Sequence, residues 1–427
     1  MTPEIEKRIK AVQAGRIPAG YKKTKVGIVP KEWDVQSFGE ISFKTGRKKK
    51  KEEDYPVYSI NNQKGFCSQA EQFENDGYAN TSKDSYTLVG KDTFAYNPAR
   101  INIGSIGLLK EPDKVIISSL YVCFGLNKNC NLSFFESYFK SHRFNYDVSN
   151  YTEGSVRQYL FYDNFSKINV AIPPLSEQKK IAEILATQDR VIELKEKLIA
   201  EKQSQKKYLM SVLLGDDFKK PFKLNGVIID KKKWEKKKIG DVCDNYTGLT
   251  YAPENVSSKG VLVLRSSNIQ NGKLCFDDNV YVDMEIPIRS KVKIGDILVC
   301  VRNGSRSLIG KSAIITKEAE CAAFGAFMTV LRSKNVNQLF LFYIWQSNNI
   351  QKQIKVLMGA LINQITSFDI QHLHFSCPSL PEQKAIADVL SAADEEISLL
   401  QKNLEQEKLK KKSLMQLLLT GLVRVNE

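Results

Sequence analysis

The chain has 427 residues, a formal net charge of +15, and 42% hydrophobic and 10% aromatic residues. This length and apolar content exclude a disordered chain and predict two or three folded domains. No stretch approaches the roughly 18 apolar residues of a membrane helix, the charged start excludes a secretory signal, and the eight cysteines form no C-x-x-C pair. We therefore expect a cytoplasmic protein with reduced thiols and an acidic partner, such as nucleic acid or an anionic membrane.

The first predicted domain spans residues 21–172 and follows a helical lead-in over residues 1–20. The segments VYSI, TLVG and VIISSLYVCFGL are typical of strands, and turn residues separate them. One helix is expected over Leu132–Arg143, where the chain reads LSFFESYFKSHR. This mixture predicts an α+β domain with a mostly antiparallel or mixed sheet.

Basic and amide side chains cluster in the turns of this domain. The segment TGRKKKKEED (45–54) places five adjacent cations after a turn, and a polyanion would relieve their repulsion. A solvated surface run is the other interpretation. Arginine can read guanine, and asparagine or glutamine can read adenine, so we treat these loops as DNA contacts. The candidates are Arg47, Lys48, Lys49, Lys50, Asn61, Asn62, Gln63, Lys64, Arg100, Asn102, Arg157, Gln158 and Tyr159.

An internal repeat divides the chain into two copies. Residues 173–188 read PPLSEQKKIAEILATQ, and residues 378–393 read PSLPEQKAIADVLSAA. At this shift of 205 positions, 18 of 42 aligned residues are identical, which chance does not produce in an ungapped run. The similarity continues upstream, so the predicted order is domain, helix, domain, helix.

Each copy ends in a long predicted helix. Residues 176–214 and 382–420 contain neither glycine nor proline, with prolines before them and a glycine after each. The second helix carries a coiled-coil seam, and the first keeps a similar stripe interrupted by Gln188 and Lys195. A helix of 39 residues extends about 58 Å, too long for one small domain to bury, so we expect the helices to pair. Antiparallel pairing is expected, with the domains at opposite ends of an approximate two-fold arrangement. The seam residues are Leu390, Ala393, Ile397, Leu400 and Leu404.

The second predicted domain spans residues 221–377 and repeats the composition of the first. Its strand-like segments are VLVLR, VYV, DILVCV and AFMTVL, and one helix is expected over Gln338–Gln346. The two copies differ most in their loops, as two readers of a split, asymmetric sequence would. The candidate DNA contacts of this domain are Arg265, Ser266, Asn268, Arg302, Asn303, Arg306, Asn363 and Gln364.

The sequence contains neither an H-E-x-x-H nor a G-x-S-x-G motif, so we expect no catalytic residue and no metal site. NGSRSLIGKS (303–312) is close to a phosphate-binding loop, but its first glycine is one position early and the following AIIT predicts a strand. When the two copies are aligned, Lys311 corresponds to Ser105, so one copy lacks the lysine that a phosphate-binding loop needs. We therefore expect a turn between strands here. A nucleotide hydrolase dependent on Lys311 is one alternative. His372 and His374 are predicted on one face of a strand without further metal ligands.

The repeated helix starts carry a family resemblance. PPLSEQKKIA and PSLPEQKAIA, each ending a sheet domain and opening a long helix, resemble the specificity subunit of type I restriction–modification systems. GYKKTKVGIVPKEW (20–33) also resembles that family's lead-in to the first target recognition domain. The resemblance covers nearly the whole chain and the full order of domains and helices.

The resemblance implies an α+β fold: two mixed-sheet target recognition domains separated by two long antiparallel coiled-coil helices, in an internal pseudo-two-fold repeat. The domains would be residues 21–172 and 221–377, with spacer helices in residues 173–220 and 378–427. Each domain would read one half of a bipartite, asymmetric site on double-stranded DNA. The helices would set the spacing and dock two methylation (M) subunits and the restriction (R) subunits.

Chemistry would belong to those partner subunits, which implies S-adenosylmethionine, ATP and Mg for them and no cofactor for this chain. No membrane partner is implied. The alternative function is a coiled-coil scaffold with basic domains that bind RNA or protein. The DNA-reading function predicts that adenine methylation depends on this chain, whereas the scaffold does not.

Overall fold

The computed structural model describes residues 2–69, 85–154, 158–215, 220–358 and 363–425. The chain divides into two compact units. The first unit combines Met1–Lys195 with Asn403–Glu427, and the second unit is Glu196–Lys402. Both boundaries fall inside long helices, so each unit contains a sheet domain and a part of each long helix.

Short strands dominate the first unit because β-branched and aromatic segments alternate with turns. Its helices are Pro3–Gln13 (α1), Phe38–Ile41 (α2), Leu132–Tyr138 (α3), His142–Tyr151 (α4), Tyr162–Phe165 (α5) and the start of Leu175–Leu214 (α6). Its strands are Tyr21–Thr24 (β1), Gly27–Pro30 (β2), Asp34–Ser37 (β3), Ser42–Lys44 (β4), Arg47–Lys48 (β5), Tyr58–Asn61 (β6), Gly65–Ser68 (β7), Thr87–Gly90 (β8), Phe94–Tyr96 (β9), Ile106–Leu108 (β10), Lys114–Ile117 (β11), Val122–Leu126 (β12) and Asn169–Ile172 (β13).

The second unit repeats this alternation. Its helices are Ile239–Val242 (α7), Gln338–Gln346 (α8), Asn348–Leu357 (α9), Ser367–His372 (α10) and the start of Leu380–Leu419 (α11). Its strands are Phe222–Leu224 (β14), Val227–Ile229 (β15), Glu235–Lys238 (β16), Cys243–Thr247 (β17), Val256–Ser257 (β18), Val261–Leu264 (β19), Ile269–Gln270 (β20), Lys273–Leu274 (β21), Val280–Val282 (β22), Ile297–Cys300 (β23), Ser312–Ile314 (β24), Ala323–Phe324 (β25), Met328–Ser333 (β26) and His374–Cys377 (β27).

The central sheets of the two units have the same topology. In the first unit the strand order is β10–β9–β12–β4, and in the second it is β24–β23–β26–β17. Every neighbouring pair in both sheets is antiparallel. A second sheet of the second unit joins β19 to β25 in parallel, so the predicted mixed-sheet α+β class is confirmed.

The helix predicted over Leu132–Arg143 is wrong in extent, because the chain forms α3 and α4 there. The side chain of Asn131 accepts from Phe134 N at the start of α3. The side chain of Ser141 accepts from Phe144 N and starts α4. A side-chain cap therefore opens a new helix inside the predicted one. The helix expected over Gln338–Gln346 is found with those bounds as α8.

The two long helices are confirmed, and they pair antiparallel within each unit. In the first unit Asp189 of α6 pairs with Lys411 of α11, and Lys195 lies 3.6 Å from Glu407. In the second unit Lys202 of α6 lies 2.6 Å from Glu396, and Lys206 lies 2.6 Å from Asp394. As the residue numbers increase along α6, the residue numbers of their partners on α11 decrease, so the two helices run antiparallel.

The polar residues that interrupt the apolar stripe of α6 have a specific partner. Gln188 is 5% exposed, and its Nε2 donates to the Glu407 carboxylate at 2.8 Å. Lys195 contacts the same carboxylate. The pKa of Glu407 lies below its usual value, chiefly because Gln188 donates to it. A buried amide in a helix pair is tolerated when it is hydrogen-bonded in this way.

Each sheet domain is held at the start of its helix by the same two contacts. Trp33 Nε1 donates to Glu177 at 2.9 Å in the first unit. Trp234 Nε1 donates to Glu382 at 3.1 Å in the second. The glutamine that follows each glutamate accepts from the backbone N–H that starts the helix after the central sheet, at 2.7 Å and 2.8 Å. The Glu-Gln pair of the repeat therefore orients each domain on its helix.

Candidate nucleic-acid interface

Each unit has a cleft beside the same pair of strands. The first cleft lies where β4 ends and β12 begins, and the second cleft lies where β17 ends and β26 begins. These strands are antiparallel neighbours, with Lys44 opposite Phe124 and Thr247 opposite Thr329. The end of one strand therefore meets the start of the other, and the loops that follow form the cleft walls.

A Thr-Gly step stands at the end of the first strand of each pair, and only glycine fits its second position. Gly46 has a φ of +86°, and an added Cβ would lie 2.8 Å from the Thr87 methyl group. An added Cβ on Gly248 would lie 2.1 Å from the carbonyl oxygen of Gly325. The chain thus passes very close to a neighbouring segment at each cleft, a position that excludes any side chain.

The first cleft is basic and aromatic. It contains two adjoining cavities of about 450 and 330 Å³ that share Thr45, Tyr121 and Cys123. Lys44 Nζ lies 5.0 Å from the centre of the Tyr162 ring, where a cation and a ring attract each other. Burial raises the pKa of the Cys123 thiol to about 12, so this group stays protonated. The remaining lining residues are Gly46, Arg47, Lys48, Ser85, Thr87, Ser119, Val122, Phe161 and Asp163.

The basic run begins at this cleft and is shaped by one carboxylate. Arg47 pairs with Glu53, whose carboxylate also accepts from the backbone N of Lys50 at 2.9 Å. The Arg47 hydrogen bond is the main reason that the pKa of Glu53 falls to about 2. Lys48 and Lys50 are exposed, and Lys49 is half-buried. The structure therefore presents these lysines to solvent while Glu53 holds Arg47.

The amide-rich turn of residues 61–64 lies beside the turn that carries Arg100 and Asn102. Asn61 Oδ1 accepts from the backbone N of Gln63 at 2.7 Å and of Lys64 at 3.3 Å, so this oxygen shapes the β6–β7 turn. Ser105 Oγ donates to the carbonyl of Ile60 at 2.9 Å and connects this hairpin to the following turn. The exposed candidates brought together here are Asn62, Gln63, Lys64, Arg100 and Asn102.

The last candidates of the first domain lie close to the first cleft. Tyr159 stacks on Phe161 with ring centres 5.7 Å apart, and Phe161 lines the cleft. Gln158 is exposed, and Leu160 N donates to the Pro98 carbonyl near the Arg100 turn. The prediction for Arg157 lies outside the described residues.

The second cleft is a single cavity of about 570 Å³ that is lined by both apolar and polar residues. Arg265 Nη2 donates to the Asp278 carboxylate at 2.8 Å. Ser266 Oγ accepts from Asn303 Nδ2 at 3.1 Å. The remaining lining residues are Leu249, Thr250, Tyr251, Ser267, Gly325, Ala326, Phe327 and Met328.

Most of the predicted residues of the second domain meet at one rim of this cleft. The guanidinium of Arg302 lies 5.2 Å from the centre of the Phe327 ring, and Arg302 forms a backbone bridge with Gln364. Asn363 Nδ2 donates to the Gly304 carbonyl at 3.0 Å. Together with the Asn303–Ser266 bond, these contacts join three separate loops. The sequence candidates thus form a local surface although they are up to about a hundred residues apart.

Asn268 is a correction, because its side chain does not face solvent. The residue is 0% exposed, and its Oδ1 accepts from the backbone N of Arg265 at 2.9 Å. Its Nδ2 donates to the carbonyls of Cys275 and Asp278 at 3.0 and 3.2 Å. A fully buried amide with these partners supports the loop and cannot reach a base. We therefore remove Asn268 from the candidate contacts.

Arg306, another candidate of the second domain, is exposed, and its Nη2 donates to the Met358 carbonyl at 3.4 Å. The strand predicted to carry both histidines is wrong: His372 ends α10 with Nδ1 2.8 Å from the Phe368 carbonyl, whereas His374 starts β27. The two rings therefore belong to different elements.

The loop that looks like a phosphate-binding motif is a connection between strands, as predicted. Lys311 stands directly before β24, which pairs with β23, so no helix opens where phosphate groups would bind. Among the described residues, no group of three or more His, Cys, Asp or Glu side chains could hold a metal ion. The helices of the described residues are too short or too polar to cross a membrane.

Sequence reasoning missed the aromatic residue at each cleft. Tyr121 and Phe327 both directly precede the second strand of the pair and line their clefts. The alignment of Gly104 with Gly310, continued at the same shift, places Tyr121 opposite Phe327. That correspondence was a usable signal. Tyr251, Ser267 and Asp278 had no such signal, because only the fold brings them to the cleft.

A family model described as the type I restriction modification DNA specificity domain matches residues 30–202 and 231–409. The MjaVIII type I restriction enzyme specificity subunit of Methanocaldococcus jannaschii is 27% identical over 424 residues, covering 93% of this chain and 94% of that protein. The EcoKI specificity subunit of Escherichia coli K12 is 33% identical over 164 residues, 37% of this chain and 35% of that protein.

Solved structures show a similar fold. A chain from a structure of the assembly and conformational transition of the type I R-M system has a TM-score of 0.61 at 14% identity. It covers 92% of this chain and 99% of that chain. The S subunit of a type I restriction–modification system from M. genitalium has a TM-score of 0.53 at 14% identity, covering 90% and 96%.

Proposed function

Because the chain belongs to the type I restriction–modification specificity family, we propose that its two sheet domains each read one half of a bipartite, asymmetric DNA site. The observation that carries this proposal is the pair of equivalent clefts. Each lies at the corresponding strand ends of its own unit's four-stranded sheet, and the two sheets have the same topology. One scaffold with two different linings suits one polypeptide that recognises two different sequences.

The linings differ in their chemistry, which supports two distinct half-sites. The first cleft has Arg47, Lys48 and Lys44 at its edge, and cations of this kind bind phosphates or guanine. The second has Arg265 paired with Asp278, with the Arg302–Asn303 cluster at its rim. We assign the exposed candidates around each cleft to that domain's DNA contacts.

We propose that the helices set the distance between the two half-sites. Each has 40 residues, which extends about 60 Å at 1.5 Å per residue. This length exceeds the roughly 34–36 Å of one DNA turn, so several unread base pairs fit between the recognised segments. The target recognition domains would be residues 21–172 and 221–377, the spacer helices would lie in residues 173–220 and 378–427, and residues 1–20 would be a lead-in.

The chain itself would be non-catalytic. Two methylation subunits and the restriction subunits would dock on the helices and supply the chemistry with S-adenosylmethionine, ATP and Mg. The bases to be methylated would be flipped into those subunits.

Methylome sequencing tests this function. Cells that carry the chain with its methylation subunit should show adenine methylation within one split motif, and exchange of residues 21–172 for those of a relative should alter one half-motif only. Methylation that is independent of the chain would contradict the proposal and favour a scaffold. Alteration of both half-motifs after exchange of one domain would contradict the assignment of one half-site to each domain.

A further inference from the structure

The second cleft holds a pair of opposite charges in a fixed orientation. Arg265 Nη2 donates to Asp278 Oδ2 at 2.8 Å, and both residues line the cavity. The buried Asn268 amide binds both segments, because it accepts from Arg265 N and donates to the Asp278 carbonyl. Asn268 also donates to Asn279 Oδ1 at 3.2 Å. This support makes the charge pair pre-organised, which lowers the entropy cost of binding.

Two polar atoms beside this pair have no hydrogen-bond partner within the part of the chain that the structure describes. They are Nε of Arg265 and Oγ of Ser267, and both are buried. A buried donor without a partner is costly, and such groups in native proteins call for an explanation. Both residues also line the cavity of about 570 Å³, where a bound ligand would lie.

The wall suits the edge of a base pair better than a phosphate. The Asp278 side chain is 65% exposed, so its negative charge would repel a phosphate approaching Arg265. An arginine and a carboxylate side by side instead present donors next to an acceptor. Tyr251 and Phe327 add aromatic surface to the same cavity, against which bases pack well.

We propose that Arg265 and Asp278 read one G·C base pair in the half-site of the second domain, an inference that rests on the proposed function. Arg265 donates to O6 and N7 of guanine, and Asp278 accepts from the N4 amino group of cytosine. Asn268 acts as a positioning residue that holds the two partners.

Among the described residues that line the first cleft, no arginine pairs with a carboxylate of the same lining, because the partner of Arg47 is Glu53, which lies outside it. The charge pair of this lining, Lys44 with Asp163, has an N–O distance of 3.4 Å and side chains that are 65% and 85% exposed. An exposed pair of this length is weakly oriented. The G·C assignment is therefore made for the second domain alone.

The test uses the chain co-purified with its methylation subunits and a library of duplexes in which each base pair of the motif is varied. Wild type should require a G·C pair at one position of the second half-motif. Arg265→Ala and Asp278→Ala should each reduce discrimination at that position by about tenfold to a hundredfold, and leave the first half-motif unchanged. Arg289→Ala removes an exposed arginine from the same domain and should change no position.

The other outcomes overturn the assignment. If Arg265→Ala weakens all duplexes equally while Asp278→Ala strengthens them all, Arg265 contacts a phosphate. If both variants keep every preference of the wild type, the pair reads no base. Should Arg265→Ala fail to fold, the exposed Asp278→Ala decides alone. A wild-type complex without any split motif would instead refute the proposed function.

Discussion

Lys206 Nζ lies 2.6 Å from Asp394 Oδ1, and the same two positions of the repeat, exchanged between the helices, give the ion pair of Lys411 with Asp189. Each pair takes its lysine from one helix and its aspartate from the other. The same helix-to-helix contact is therefore made once in each unit. The repeat in the sequence is thus expressed as a repeat in contacts.

The two copies of this pair should differ in strength. Asp394 is 30% exposed and also accepts from the Tyr343 hydroxyl at 2.9 Å, whereas Asp189 is 53% exposed. We expect Asp394→Asn to lower the free energy of unfolding by about 1–2 kcal/mol and Asp189→Asn by less than about 1 kcal/mol. Urea unfolding of the two variants measures this, and equal losses would contradict the role of burial.

A methyl group at the second cleft should disrupt the second domain. Because an added Cβ on Gly248 would lie 2.1 Å from a backbone oxygen, Gly248→Ala forces the two segments apart and should cost about 1–3 kcal/mol. Gly304→Ala is the matched control, since no atom of the described residues lies within 4 Å of its added Cβ. Thermal unfolding compares the two. Equal melting temperatures would show that the close approach at Gly248 does not constrain the fold.

Salt dependence tests the basic run. Lys48→Ala and Lys50→Ala should each make the slope of log K for DNA binding against log salt concentration shallower by about 0.9. The reason is that a complex with one phosphate contact fewer releases about one counterion fewer when it forms. Glu53→Gln should raise the affinity for duplex DNA by releasing Arg47. Lys91→Ala, which removes a cation paired with Glu111, is the control. Slopes unchanged in both lysine variants would make this run a solvated surface.

Acid should weaken the attachment of the second domain through Glu382. Burial raises the pKa of this carboxyl. Hydrogen bonds from the Ser379 hydroxyl and backbone N–H, the Asp230 backbone N–H and the Trp234 indole outweigh that effect and leave the pKa below 4.5. A folded-state pKa below the unfolded one contributes stability above pH 4.5 that is lost as the pH falls through the folded value. Glu382→Gln should therefore be less stable at pH 7 and show a flatter loss of stability in acid.

Chemical denaturation at several pH values measures this difference. Glu235→Gln is the control, because the Glu235 side chain is 74% exposed. A wild-type acid response that Glu382→Gln leaves unchanged would assign the pH dependence to other carboxylates.

Lengthening both helices should change the unread gap between the half-motifs. Seven residues inserted into each helix, after Lys195 and after Lys402, add about 10 Å and preserve the heptad register. This corresponds to about three base pairs at 3.4 Å per pair. Methylome sequencing should show the same half-motifs with a longer gap. An altered half-motif would contradict the spacer role, and insertion in one helix alone serves as the mismatched control.

Local patterns predicted the large elements well. The absence of glycine and proline over residues 176–214 and 382–420 agrees with α6 and α11 within two residues at either end. The single helix over Leu132–Arg143 was wrong because a capping serine competes with helix continuation, a local choice that apolar spacing does not reveal. Both outcomes follow from interactions between residues close in sequence.

The candidate site was predicted only in part. Ser266, Arg302, Asn303, Asn363 and Gln364 were named from their residue types, and the fold brings them together. Asn268 has the same side chain as Asn303 but is buried, and no sequence pattern separates them. Residue type therefore identified the chemistry of the surface without its accessibility.

By itself, the sequence determined the repeat, the two long helices and the need for them to pair. Helix formation and apolar stripes depend on neighbours three and four residues apart, which the sequence states directly. Only the tertiary structure decided which side chains line each cleft, how Glu53 holds Arg47, and that Asn268 supports Arg265 and Asp278 from inside. Those facts depend on strand register and burial, which join residues far apart in the chain.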